Sequence, residues 1–289
     1  MIKHVANEVW AYDCEWVPDL RAGRLVYGLP DDLPDGEVLR VMWEQGGATP
    51  ETPMPFLRTL VCRVVSIATV IRRTFKNGEV QLFLATLPEA PEDATQDEAY
   101  ILRRFLADGV SARQPQLVGF NSRNADLRIL TQRAIVNGLS LKHLCERLDA
   151  KPWESNDIDL MDLVAGFGKS YAVSLHEIAT LCGIPGKLDT TGEDVCGLWY
   201  RGERRKIVEY NAFDALTTYL VWLRLAYFSG CFTADGYIAE QRRVVRLLDE
   251  RIARPEDAYL RVFRDAWHGL KARTGQLDDG VFTDDATER

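Results

Sequence analysis

The 289-residue chain has no apolar stretch long enough to cross a bilayer, since its greasiest run, Leu216 to Phe232, is interrupted by Arg224. Its opening residues, Met1-Ile-Lys-His-Val-Ala-Asn-Glu, hold no apolar core of the kind a secretory signal needs. A soluble, cytoplasmic protein with no membrane partner is therefore expected. Cysteines are few and dispersed, six in all at positions 14, 62, 145, 182, 196 and 231, and no two form a Cys-x-x-Cys pair. That excludes a zinc ribbon and a compact disulfide framework. The four histidines, His4, His143, His176 and His268, also lack metal-ligand spacing. Excess positive charge is missing too: the formal net charge of -8 argues against broad electrostatic adhesion to nucleic acid. No internal repeat is visible. At 46% hydrophobic content, the length suffices for one large domain or a domain plus an appendage.

What the chain does have is carboxylate in a suggestive arrangement. Glu8 to Trp16 reads as a strand, in which side chains two apart share a face. Asp13 and Glu15 then project together, while Trp10, Tyr12 and Cys14 take the other face and can pack on a helix. Two acids side by side repel unless a cation neutralises them. Oxygen-only ligands suit a hard ion such as Mg²⁺ or Mn²⁺, which keeps several waters and accepts phosphate oxygens. The plainer alternative is an exposed acidic strand end.

A second segment, Lys206 to Leu220, repeats apolar residues at helical spacing through Ile207, Phe213, Leu216 and Leu220. Tyr210 and Asp214 fall one turn apart on that helix, where a phenol beside a metal-bound carboxylate can orient an attacking water. A core tyrosine next to a solvated aspartate would have the same spacing. In a third segment, the apolar strand Leu117 to Phe120 breaks at Asn121 into a helix marked by Leu127, Leu130 and Ala134. Asp126 falls in its first turn, a place the helix dipole also favours for an acid. Asn121 suits turn and cap chemistry as well as substrate contact.

Taken together and in this order, these pieces resemble the DEDD superfamily of 3′-to-5′ exonucleases, in its DEDDy branch. The Tyr-x-x-x-Asp of Tyr210 and Asp214 carries that assignment; the sister branch has histidine five before the aspartate, where this chain has Glu209. Ser174-Leu-His-Glu-Ile-Ala-Thr-Leu-Cys-Gly-Ile-Pro-Gly-Lys-Leu-Asp189, Gly192-Glu-Asp-Val and Ile207-Val-Glu-Tyr narrow the resemblance. It is similar to the stand-alone family related to the proofreading exonuclease domain of family B DNA polymerases, over most of residues 7 to 230. The resemblance implies two Mg²⁺ or Mn²⁺ ions, with Asp13 bridging both, Glu15 and Asp214 completing one site, Asp126 holding the second and Tyr210 orienting the nucleophilic water. The implied activity is hydrolysis of single-stranded DNA 3′ ends to nucleoside monophosphates. RNA trimming, or a noncatalytic nucleic-acid-binding module on the same fold, stand as alternatives. Candidate substrate contacts are Asn121 and Lys187, with Arg201, Arg204, Arg205 and Lys206 as a further cluster that also suits a solvated helix face. One departure is Ala125, where the family usually has an aromatic residue, with Arg128 where proline is common.

Around these motifs the expected organisation is α/β. Val61 to Ile71 and Val80 to Leu84 read as strands joined at Asn77-Gly78, so three antiparallel strands open the chain. Thr95-Gln-Asp-Glu98 reads as a capping box opening a helix that ends near Gly109. A short segment around Ile158 to Leu163 adds a last strand, with Asp159 and Asp162 in supporting roles. This order predicts a ribonuclease-H-like mixed five-stranded sheet flanked by helices, with a C-terminal helical extension. Ser174-x-x-Glu177 is another capping box. Gly166-Phe-Gly-Lys169-Ser170 mimics the tail of a P-loop, but Leu163 stands where the first glycine belongs, so a turn is expected. The expected domains are 1-232, with 17-55 as a surface insertion, a helical extension over 233-273 and an acidic, mobile tail over 274-289. That extension is helical with a break at Pro255 and a packing face of Tyr259, Val262, Phe263 and Trp267. It would cover the sheet or support a homo-oligomer.

Overall fold

Glu8–Pro18 forms a strand, β1, in which side chains two apart share a face, so its two faces meet different neighbours. In the computed structural model, which describes residues 2-150, 156-168, 173-188, 195-274 and 280-282, β1 is the centre of a five-stranded sheet. The described strands are ordered β3-β2-β1-β4-β5. β2 (Cys62–Thr74) pairs antiparallel with β1, and β3 (Val80–Leu87) antiparallel with β2. The β2-β3 turn falls at Asn77-Gly78: Gly78 sits at φ +85°, and Asn77 Oδ1 accepts the Glu79 amide at 3.0 Å. β4 (Gln116–Gly119) runs parallel to β1, and the two-residue β5 (Ile158–Asp159) parallel to β4. This is the mixed, ribonuclease-H-like sheet that the element order predicts.

The described helices are α1 (Leu20–Tyr27), α2 (Asp35–Gln45), α3 (Glu98–Leu102), α4 (Asp126–Val136), α5 (Lys142–Leu148) and α6 (Leu160–Val164). They are followed by α7 (Leu175–Leu181), α8 (Val195–Tyr200), α9 (Arg204–Phe228), α10 (Ala234–Ile252) and α11 (Leu260–Arg273). α3 continues in wider, π-type turns over Arg103–Ser111. One sheet face buries Trp10, Tyr12 and Cys14 against Ile101, Phe105, Ile129 and Leu130, as the alternation requires. The opposite face buries Val9, Ala11 and Val70 beneath Ala212, Ala215 and Tyr219 of α9. α10 and α11 share that core through Val244, Leu248, Leu260, Phe263 and Trp267. A buried Arg72–Glu240 pair, with bonds of 3.0 and 2.7 Å, ties α10 to β2. The C-terminal helices thus cover α9 and hold it on the sheet.

Several local expectations need correction. The cap of α3 is Asp97, whose side chain accepts the Tyr100 amide at 3.0 Å, while Thr95 bonds Asp93. Glu98 is freed from capping and is instead buried, accepting the Val64 amide at 2.7 Å. The last strand stops at Asp159 because that carboxylate caps α6, accepting the Met161 and Asp162 amides. On α11 the packing face is Leu260, Phe263 and Trp267, whereas Val262 is 56% exposed. The Ser174/Glu177 capping box forms as expected. Gly166 and Phe167 make a left-handed turn at φ +60° and +61°. Within the acidic C-terminal segment, Val281 is buried and Phe282 packs edge-on against Trp267. Lys169, Ser170, Asp189, the Gly192-Glu-Asp-Val stretch as far as Asp194, and residues 275-279 and 283-289 lie outside the described residues.

Candidate active site

β1 carries Asp13 and Glu15 toward α9, opposite Ala68 and Ser66 of β2, and a register shift follows between Glu15 and Trp16. α9 lies along β1 and β2 on that face, and its Tyr210 and Asp214 are one turn apart. The packing brings Asp13, Glu15 and Asp214 together: one carboxylate oxygen from each lies within 4.8 Å of the others. No other trio of acidic, histidine or cysteine side chains is so arranged among the described residues. Residues 13 and 214 are 201 positions apart in sequence, so this meeting is a product of the fold.

Asp126 arrives from the adjacent strand. The chain leaves β4 through Gly119, where any β-carbon would collide with Ser122, and turns at Asn121, held at φ +58°. Asp159 fixes this turn, accepting the Asn121 amide at 2.9 Å and the Arg123 amide at 3.0 Å. The Asn121 side chain accepts a bond from Asn124 Nδ2 at 3.2 Å, so it serves the turn. Asp126 then opens α4 and is 4% exposed. It stands outside the tight trio, yet close enough to repel both Asp13 and Asp214.

Burial and neighbouring carboxylates together set the acidity of Asp13 and Asp126. Burial, then Asp126, Asp214 and Glu15, hold the Asp13 carboxyl well above the ordinary range. Burial pushes Asp126 up to about 7, although its own amide and that of Cys14 pull it back. Asp214 is pushed up to about 6 by burial, against the lowering effects of a Tyr210 hydrogen bond and of Lys187. Burial and the charges of Asp214 and Glu15 raise the Tyr210 phenol, which stays protonated and donates to Asp214. These oxygens crowd one spot and resist ionising together. An all-oxygen set under such mutual repulsion fits a hard divalent cation.

Of the other candidate residues, Lys187 is exposed just after α7, near enough to Asp214 to lower it. The cationic cluster is largely engaged locally: Arg201 pairs with Glu203 at 2.7 Å, Lys206 pairs with Glu203, and Arg204 lies 4.8 Å from the Trp199 ring centre. Sequence reasoning missed the support beneath α4. Buried Arg133 donates to Asp19 at 2.7 Å and to Glu98 at 2.6 and 2.8 Å, locking α4 to the β1-α1 junction and α3. Its partners lie 114 and 35 residues away, so no local pattern signals them.

A mixed sheet with an acidic trio where its central strand meets a tyrosine-bearing helix has the ribonuclease-H-like arrangement. The chain belongs to the family of predicted 3′-5′ exonucleases related to the exonuclease domain of PolB, whose family model matches residues 54–267. That span includes Asp126, Lys187, Tyr210 and Asp214; Asp13 and Glu15 precede it and join the site through strand pairing. Among solved structures, the family B DNA polymerase of the hyperthermophilic archaeon Pyrobaculum calidifontis is similar, with 19% identity and a TM-score of 0.43. The similarity covers 93% of this chain and 30% of the polymerase chain. No curated protein matches. Among the described residues, no helix is long and apolar enough to cross a membrane.

Proposed function

We propose that this protein is a metal-dependent 3′-to-5′ exonuclease that removes nucleoside monophosphates from single-stranded DNA 3′ ends. The observation that carries the reading is the trio Asp13, Glu15 and Asp214, its oxygens within 4.8 Å of one another. Those three would hold one Mg²⁺ or Mn²⁺ ion, and Asp13 with Asp126 a second. When bound, the ions supply charge neutralisation for the attacking and leaving oxygens of an in-line displacement. The protein's own groups do the rest. Tyr210, kept neutral, offers its hydroxyl beside Asp214 to align a water with the phosphorus. Lys187 presents an ammonium at the rim for a phosphate oxygen. Asn121 and Asp159 hold the turn that aims Asp126 into the site. The domain reading of 1-232 as the exonuclease and 233-273 as its extension accords with α10 and α11 bracing the helix that bears Tyr210 and Asp214.

The test is digestion of 5′-labelled single-stranded DNA, and of matched RNA, in Mg²⁺ and Mn²⁺. Asp13→Ala and Asp214→Ala proteins purified identically run alongside. A 3′-shortening ladder from wild type alone is expected, stronger on DNA. Full metal-dependent activity in either variant would sink the proposal, and a ladder on RNA alone would correct the substrate.

A further inference from the structure

His176 lies on α7, in no obvious relation to the carboxylates, and is exposed, so it contributes little to the core. Its contact is specific nonetheless. The backbone amide of Lys187 donates to His176 Nδ1 at 3.1 Å. Between them Gly186 runs so close to the ring that a β-carbon there would strike Nδ1 and come within 3.0 Å of the His176 α-carbon. Upstream, the strap from Cys182 to Gly186 is tied at several points. Arg224 donates to the Cys182 carbonyl at 3.1 Å, the Ile184 amide to Ala179 at 2.9 Å, and the buried Thr217 hydroxyl to the Pro185 carbonyl at 2.8 Å. His176 is the last of these ties before Lys187, whose charge lowers the pKa of Asp214.

We infer that His176 is a positioning residue for the exonuclease reaction: its Nδ1 clamps the Gly186-Lys187 backbone to α7, so that the Lys187 ammonium is held at the rim of the carboxylate site. The inference rests on the function proposed above for its meaning, but the clamp itself is a property of the fold. Only an unprotonated Nδ1 can accept the Lys187 amide, so the neutral ring carries its proton on Nε2. Glu177, on the same helix, is a charged neighbour of the ring. The ordering matters because a lysine on a loose strap loses rotational freedom on meeting phosphate, whereas a fixed backbone has removed part of that cost in advance.

The experiment compares wild type, His176→Ala, His176→Asn, Lys187→Ala and the double variant His176→Ala/Lys187→Ala by steady-state digestion of 5′-labelled DNA. Hydrogen exchange of the Lys187 amide is followed in parallel. His176→Ala is expected to raise KM about fivefold to tenfold, a part of what losing one charge-assisted phosphate contact outright would cost, with a smaller change in kcat. The double variant should be no worse than Lys187→Ala alone, because both act through one ammonium. His176→Asn, whose side-chain oxygen can take the place of Nδ1, should restore both KM and amide protection. Additive losses, no rescue by asparagine, or a Lys187 amide that exchanges freely in wild type would each overturn the clamp. A wild-type protein that degrades neither DNA nor RNA would refute the exonuclease reading instead, and amide exchange would still decide the clamp.

Discussion

Replacing Asp126 with asparagine should stabilise the metal-free protein, although it removes a group central to the proposed reaction. Asp126 is buried, and its carboxyl is displaced from an ordinary 3.8 to about 7. At about 1.36 kcal/mol per pH unit, that displacement costs the folded state roughly 4 kcal/mol once the group is ionised. The carboxylates share this cost, so one substitution should recover about half, ~2 kcal/mol. The sign follows from a folded value above the unfolded one. The cost is absent below about pH 4, grows as pH rises, and is complete above about pH 7. Urea unfolding in EDTA should therefore place Asp126→Asn ~2 kcal/mol above wild type at pH 8, with less than half of that gain left at pH 5. Adding Mn²⁺ at about one hundred times its Kd should stabilise wild type by ~2.7 kcal/mol and the variant by much less. A variant no more stable than wild type at pH 8, or a gain equal at both pH values, would refute the account of repulsion among buried carboxylates.

Three further outcomes are expected. Mn²⁺ should raise the Tm of wild type several degrees at pH 8 and hardly at all near pH 5, where protons occupy Asp126 and Asp214; thermal scans across pH with Asp13→Ala as control check this. Tyr210→Phe should keep the fold and the Mn²⁺ response while lowering kcat about a hundredfold, measured in single-turnover digestion; undiminished kcat would remove the tyrosine from the chemistry. Arg133→Met leaves Asp19 and Glu98 buried without their partner and should cost about 3 to 5 kcal/mol in urea unfolding, a loss that an exposed pair such as Arg40–Glu44 would not give.

Much of this protein is written locally. The alternation of β1, the Asn-Gly turn, the Ser174 capping box and the one-turn spacing of Tyr210 and Asp214 each depend on neighbours within a few residues, where side-chain period and backbone preference decide the outcome. That is why the five strands, the long α9 and the four candidate carboxylates are all legible before any coordinates. Capping was legible less well: Thr95 and Asp97 both offer a side-chain oxygen near the start of α3. The choice falls to Asp97 because Glu98 is claimed by Arg133 and the Val64 amide, which belong to distant elements. The two-residue β5 is a similar case, ended by a carboxylate that serves a helix and a turn at once.

The sequence alone determined which groups are available: oxygen ligands without a histidine or cysteine set, a phenol one helical turn from an acid, and a strand able to present two acids on one face. Tertiary structure alone decided which of them meet. Chain segments far apart in sequence converge because the apolar face of α9 must bury itself on β1 and β2, and that packing sets the Asp13, Glu15 and Asp214 oxygens within 4.8 Å. It also set Asp126 just outside the trio, and put His176 against the backbone of Lys187. Side-chain periodicity acts over a few residues, whereas burial and repulsion act through space, so the acidity of the site belongs to the fold.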